Sequence, residues 1–280
     1  MHTPIRSQVS RLAPDTYLNK KIAVISDLHS NFDSLSCAVE KIRQHDVDLV
    51  VILGDLLSYG AQVDEVLALL KTLAQQLPCW FVMGNHDEFY FDLQSGQSET
   101  RYKIPDFIKE SVQWNLDKLN QSDVVLLNHF DWHSAIALGP VLLSHANPYG
   151  LGNWSYLNQP NECLKAARVL REGDYQVGIF GHTHRKKVLC FIGDELADEP
   201  ADTLHYKQHP SHCYIVNPGS LGQPRGEGAS LLFFQITEHS VALEHITIHP
   251  DLTRYFSQLV DSNLSDTTTE KLLSYFGDIK

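Results

Sequence analysis

The chain lacks four things: a Cys-x-x-Cys pair, an apolar run long enough to cross a membrane, an apolar stretch near its start, and an excess of positive charge. Its five cysteines (Cys37, Cys79, Cys163, Cys190 and Cys213) are odd in number, and three lie in apolar, strand-like runs. Buried free thiols in a reducing compartment fit that usage better than a disulfide framework. The first twenty residues, MHTPIRSQVSRLAPDTYLNK, are polar and hold no core of a secretory signal. With no membrane-length segment either, a cytoplasmic protein is expected. A formal charge of -12 argues against a protein that grips a nucleic-acid polymer through its surface potential. It leaves small phosphorylated substrates open, because a bound cation reverses the field at a site. An apolar fraction of 43% with 20% charged residues is ordinary for a globular chain and does not indicate disorder.

What is present is a repeated succession of apolar run, polar motif and helix. KIAVIS (21–26), LVVIL (49–53) and CWFVM (79–83) are short and continuous, as strands buried on both faces are. Between the first two, Leu35, Ala38, Val39 and Ile42 recur at helical spacing, with Ser30 or Asn31 as the N-cap. Val63, Val66, Leu67, Leu70, Ala74 and Leu77 repeat the pattern until Pro78 closes it. Two such units with short connections predict right-handed crossovers and a parallel start to a sheet. Residues 88–135, with a loop-like QSGQSET and an amphipathic helix near 105–119, read as a cap inserted over the strand ends. PVLLSHA (140–146) returns to strand character, 147–161 is rich in turn formers, CLKAARVLRE is a short helix and QVGIF a strand. From 186 onward KKVLCFI, HCYIVN, SLLFFQI and VALEHITI predict a second, partly antiparallel sheet, with DELADEPADT (194–203) as a solvated acidic loop. Beyond Pro250, amphipathic stretches near 252–260 and 267–276 finish the chain.

The polar motifs share one feature. Asp27 and His29, Asp55, Asn85 and His86, His145, and His182 with His184 each follow an apolar run directly. Singly, Asp27 is an ordinary N-cap, Asp55 and Asn85 are ordinary turn residues and His145 an ordinary core histidine. Together, D-x-H, G-D, G-N-H-D, S-H and G-H-x-H place ligand chemistry at the carboxyl ends of five strands, where open α/β sheets bind ligands. The other histidines (2, 45, 129, 133, 205, 209, 212, 239, 245 and 249) read as structural or surface residues. Two carboxylates, an amide oxygen and four imidazoles are too many donors for one tetrahedral zinc. They suit two divalent cations about 3.5–4 Å apart, as in two-metal hydrolases. The mixed oxygen and nitrogen set favours Mn, Fe, Zn, Co or Ni over Ca or Mg.

These motifs and their spacing resemble the calcineurin-like metallophosphoesterase superfamily over roughly residues 20–240. NPGSLGQPR (217–225) resembles the closing signature of its small prokaryotic phosphodiesterase and phosphatase branch. The resemblance implies a four-layer α/β/β/α sandwich of two mixed sheets flanked by helices. Residues 20–250 would be the metallophosphoesterase domain, with 88–135 its cap insertion and 251–280 a C-terminal helical extension. It further implies Asp27, His29 and His184 on one metal, Asn85, His145 and His182 on the other, and Asp55 bridging both. Manganese is the favoured ion. The implied reaction is hydrolysis of a phosphate ester by a metal-bridging hydroxide, with His86 giving a proton or a hydrogen bond to the substrate.

The remaining candidates each carry two readings. Asp87 either fixes the tautomer of His86 or caps the turn that follows. Asn217, Gly219 and Ser220 form a tight turn whose N–H groups can face a substrate. Arg225 either clamps a phosphate or is an exposed loop arginine. Arg185, Lys186 and Lys187 either draw in anions or line a solvated strand edge. Phe89, Tyr90, Phe91, Trp132 and Trp154 either stack on a base or pack the cap. The expected partner is a small phosphorylated molecule, with nucleotides among the candidates, and an oligomer is open. A dinucleoside polyphosphate hydrolase or a protein phosphatase on the same fold is the alternative. An amidohydrolase barrel fits less well, because its H-x-H follows an early strand, whereas here it comes late. A metal- or nucleotide-binding protein without catalysis is the third class.

Overall fold

The computed structural model describes residues 9–98, 101–197, 203–207, 209, 211–226 and 228–277. In chain order the strands are β1 (Ser10–Arg11), β2 (Lys21–Ile25), β3 (Leu49–Ile52), β4 (Cys79–Val82), β5 (Trp132–His133), β6 (Ala135–Leu138), β7 (Val141–Ser144), β8 (Val177–Phe180), β9 (Lys187–Ile192), β10 (Glu195–Leu196), β11 (Thr203–Lys207), β12 (His212–Asn217), β13 (Ala229–Ile236) and β14 (Ser240–Ile248). The helices are α1 (Pro14–Tyr17), α2 (Phe32–Gln44), α3 (Val63–Gln76), α4 (Asn85–Gln94), α5 (Asp106–Gln121), α6 (Leu126–His129), α7 (Pro160–Glu172), α8 (Thr253–Val260) and α9 (Asp266–Leu273).

Two seven-stranded mixed sheets face each other, in the orders β11-β14-β13-β2-β3-β4-β5 and β1-β6-β7-β8-β12-β9-β10. The period of two along each strand sorts its side chains between layers. Ile22 and Val24 of β2, Leu49 and Val51 of β3, and Val177 and Ile179 of β8 fill the seam between the sheets. Ala23, Ile25, Val50 and Ile52 face the other way, onto the apolar stripes of α2 and α3. Beyond the second sheet, Cys163, Ala166, Ala167 and Leu170 of α7 pack on Phe180, Phe191 and Ile215. The result is the expected four-layer α/β/β/α sandwich. Asn31 caps α2, its side-chain oxygen accepting from the Ser34 N–H at 3.0 Å.

Several expectations need correction. The strands after residue 186 do not form a sheet of their own. The β13–β14 hairpin joins the first sheet by antiparallel pairing with β2, while β12 sits between β8 and β9 in the second. Hairpin pairing is local, but which sheet edge receives a hairpin depends on the whole fold. Helix α7 starts at Pro160, before the CLKAARVLRE segment. Pro160 occupies its first turn and the Glu162 carboxylate accepts the Asn158 and Gln159 N–H groups, both at 2.8 Å. Within the acidic segment, Glu195 and Leu196 form β10, and 198–202 lie outside the described residues.

Residues 88–135 contribute α5, whose Val112, Leu116 and Leu119 join the core of α2 and α3, and β5, which pairs in parallel with β4. The last helices dock on the same molecule. Leu252, Tyr255 and Leu259 of the α8 region and Leu272 and Phe276 of the α9 region surround Tyr59 in a satellite core. All five cysteines are free. Among the described residues no helix is long and apolar enough to cross a membrane.

Candidate metal centre

Strands β2, β3 and β4 run parallel in one sheet, and β7 and β8 run parallel in the other. Their carboxyl ends reach one edge of the sandwich. Asp27, His29, Asp55 and Asn85 descend to it from the first sheet, His145, His182 and His184 from the second. The loops turn sharply. Asp27 (φ 53°), His29 (47°), Asp55 (53°), His182 (63°) and His184 (59°) all occupy the left-handed region without being glycine. Each costs of order 1–3 kcal/mol, so the surrounding structure must hold them there. It does so with main-chain hydrogen bonds between loops: Asp27 N–H to Gly54 O at 3.2 Å, His29 N–H to Asp55 O at 3.0 Å and Gly181 N–H to His145 O at 2.7 Å.

The glycines beside the ligands permit that closeness. A Cβ on Gly181 would fall on Ser26 Oγ and Asp27 Oδ2, and a Cβ on Gly84 on the carboxylate and N–H of Asp55. Gly84→Ala is therefore expected to lower stability by about 1–3 kcal/mol, the usual cost of overpacking. A denaturant midpoint equal to the parent's would contradict the close fit.

The imidazoles are fixed by main-chain acceptors. Nδ1 of His29, His145 and His184 meets the carbonyl oxygens of Leu57, Leu53 and Gln223, and Nε2 of His182 meets that of Trp154 at 2.9 Å. A carbonyl only accepts, so each of these nitrogens carries a proton, and in the neutral ring the opposite nitrogen presents a lone pair. Those lone pairs converge. His29 Nε2 and His184 Nε2 are 3.1 Å apart, and Asp27 Oδ1 is 3.3 Å from the latter. His145 Nε2 lies 3.1 Å from Asn85 Oδ1 and 3.4 Å from Asp55 Oδ2. Acceptor facing acceptor in a buried place calls for a cation between them. The donor atoms of Asp27, His29, Asp55 and His184 lie within 4.8 Å of one another, as do those of Asp55, His145 and His182. Asp55 belongs to both groups. The residues present thus fit a pair of divalent cations.

The electrostatics show the same tension. Burial pushes His29 well below its ordinary range, His86 down to about 4 and His182 to about 3, although Asp55 and Asp27 pull the other way. Burial alone would raise the carboxyls. The neighbouring His184 and His145 outweigh it, lowering Asp27 to about 2 and Asp55 well below the usual carboxylate range. His145 goes the opposite way: burial lowers it, but Asp55 raises it to about 9. A proton on His145 offsets part of the carboxylate charge, and cation binding displaces such protons.

The other sequence candidates fall into two groups. His86 stays beside the cluster, its ring edge-on to His29 at 5.1 Å and its Nε2 3.2 Å from the Tyr59 hydroxyl. Asp87 does not orient it. Both Asp87 oxygens accept main-chain N–H groups, from Gly84 and Asp55 at 2.8 Å and Leu56 at 3.0 Å, which ties the start of α4 to the Asp55 loop rather than capping a turn that follows. The 217–220 turn is also turned inward. Asn217 Nδ2 donates to Gly181 O, the Gly219 N–H to Asn217 Oδ1 and Ser220 Oγ to Asp27 O, at 2.6, 2.8 and 2.8 Å. These contacts brace the ligand loops. Lys187 Nζ donates to the Leu157 and Asn158 carbonyls and so ties down the 147–159 loop. Phe89, Tyr90, Phe91 and Trp132 are core residues. Trp154 packs edge-on against His145 at 5.7 Å, and Tyr156 stacks on His182 at 4.2 Å. Tyr59 and the four carbonyls were not visible in the sequence. Main-chain acceptors leave no residue signature, and Tyr59 lies four residues past Asp55 in the unremarked DLLSYG.

Two facing sheets with a buried, oxygen- and nitrogen-lined centre at their common edge define a metallophosphoesterase framework. Residues 20–186 match the calcineurin-like phosphoesterase family, and the chain belongs to it. The uncharacterized protein MJ0912 of Methanocaldococcus jannaschii is 27% identical over 254 residues, covering 90% of this chain and 96% of that protein. A metallophosphoesterase from Sphaerobacter thermophilus superposes with a TM-score of 0.66 at 22% identity, over 91% of this chain and 99% of that one. The hypothetical protein PH1004 from Pyrococcus horikoshii OT3 gives a TM-score of 0.70 at 17% identity, over 90% and 97%. At these identities the two structures establish the fold. The family match ends at 186, so the 217–225 signature and the C-terminal helices lie beyond it.

Proposed function

We propose that this protein is a dinuclear-metal phosphoesterase that hydrolyses phosphate esters of small molecules, nucleotides among them. The observation that carries the reading is the Asp55 carboxylate, shared by two separate donor groups. Asp27, His29 and His184 would hold one cation, Asn85, His145 and His182 the other, and Asp55 both. When bound, the pair supplies Lewis acidity to the phosphoryl oxygens and brings the pKa of a water towards neutrality, with Mn favoured among Mn, Fe, Zn, Co and Ni. His86, held beside the cluster by Tyr59, gives a proton or a hydrogen bond to the ester oxygen or phosphoryl group. Asp87, Asn217, Gly219 and Ser220 keep the ligand loops in place. The catalytic domain is residues 20–250, residues 88–135 act as its cap and 251–280 are a helical extension. Five free thiols and, among the described residues, no membrane-length helix suit a cytoplasmic enzyme.

The test is hydrolysis of bis-p-nitrophenyl phosphate and p-nitrophenyl phosphate with added Mn²⁺. Turnover of at least one, abolished by a chelator and restored by metal, is expected. The ratio of the two rates then assigns diester or monoester preference. A metal-loaded sample inert towards both would contradict the reading.

A further inference from the structure

Arg225 and Lys271 are far apart in the chain and meet on one ring. The Arg225 guanidinium carbon lies 5.2 Å from the Tyr275 ring centroid, and the Lys271 ammonium 4.8 Å from the same centroid. An aromatic ring attracts a cation but brings no negative charge to neutralise it. Among the described residues, the only hydrogen bond from the Arg225 side chain goes to the Gln223 side-chain oxygen, at 3.0 Å, and Arg225 Nε is buried with no partner. Among the described residues neither cation is paired with a carboxylate, in a chain whose formal charge is -12. Two cations held against one ring with no anion beside it leave a place that an anion stabilises.

The place is built into the wall of the metal centre. The Arg225 N–H donates to the His184 carbonyl at 3.1 Å, and the Gln223 carbonyl accepts from the His184 ring. On the other side, Tyr275 packs on the core that contains Tyr59, whose hydroxyl bonds His86.

We infer that Arg225 and Lys271, converging on Tyr275, form a second anion subsite beside the metal centre. It takes a second phosphate group of the substrate. This rests on the phosphoesterase reading, which puts the first phosphate on the cations. The preferred substrates are then small molecules with two phosphate groups separated by an organic linker. Arg225 offers a fork of N–H donors and Lys271 a point charge. No bond is made or broken there, so these residues determine specificity. Lys271 and Tyr275 belong to the C-terminal extension, which makes that extension part of the substrate wall.

Alkane-α,ω-diphosphonates, which contain no ester to cleave, supply the test. The metal-loaded protein is titrated calorimetrically with an alkylphosphonate and with diphosphonates of increasing chain length. The best diphosphonate is expected to bind about tenfold or more tightly than the monophosphonate, the gain of added charge-assisted hydrogen bonds. Arg225→Ala and Lys271→Ala should each bring that advantage to within about twofold. Lys271 is exposed on α9, so its replacement leaves the core intact. Equal binding at every chain length in the wild type, or an advantage surviving in both variants, would overturn the subsite. Hydrolysis of the p-nitrophenyl esters on the same samples separates the two claims. An inert protein that still prefers diphosphonates contradicts only the reaction, and an active one without that preference contradicts only the subsite.

Discussion

Asp55→Asn is expected to reduce kcat/KM to below about a thousandth of the parent value, a loss of roughly 4 kcal/mol or more in transition-state stabilisation. Metal content per chain should fall with it. The substitution is nearly isosteric, and the amide retains one oxygen but not the negative charge that two cations would share. Asp55 also accepts the His86 N–H at 2.8 Å through Oδ1, while Oδ2 lies 3.4 Å from His145 Nε2 and 3.8 Å from His29 Nε2. The amide therefore disturbs both donor groups at once. Parent-like turnover with full metal content would show that Asp55 bridges nothing.

His86→Ala separates chemistry from metal binding. The four ligand imidazoles each place one nitrogen on a main-chain carbonyl, whereas His86 meets the Tyr59 hydroxyl, and its Nδ1 is buried without a partner. Among the described residues that nitrogen is thus left for a group other than the protein. The variant should keep the parent's metal stoichiometry, measured by elemental analysis, and lose about 10²–10⁴ in kcat, the range for a missing acid or base. Loss of metal along with activity would instead make His86 a ligand.

Much of this site was legible in the sequence because ligand loops at strand ends carry strong local signals. A continuous apolar run followed by Gly54-Asp55, Gly84-Asn85 or Gly181-His182 joins a buried strand, a tight turn and a donor in a few residues. The convergence of Asp27, His29, Asp55, Asn85, His145, His182 and His184 follows from parallel strands that end on one edge. What escaped was set by partners distant in the chain. Nothing in SLLFFQI says that it will pair with KIAVI, so the sheet assignment after 186 required the fold. Asp87 beside His86 suggested a catalytic pair, yet three N–H groups from neighbouring loops claim its oxygens. The NPGS turn suggested substrate contacts, but its groups brace Asp27 and the His182 loop. Tyr59 meets His86 from a satellite core that the C-terminal helices complete, a pairing of distant segments with no local signature.

The most direct test is the anomalous scattering of a crystal of the protein loaded with Mn²⁺. The expected result is two ions about 3.5–4 Å apart with the Asp55 carboxylate between them. A single ion, or two ions of which neither touches Asp55, would contradict the account.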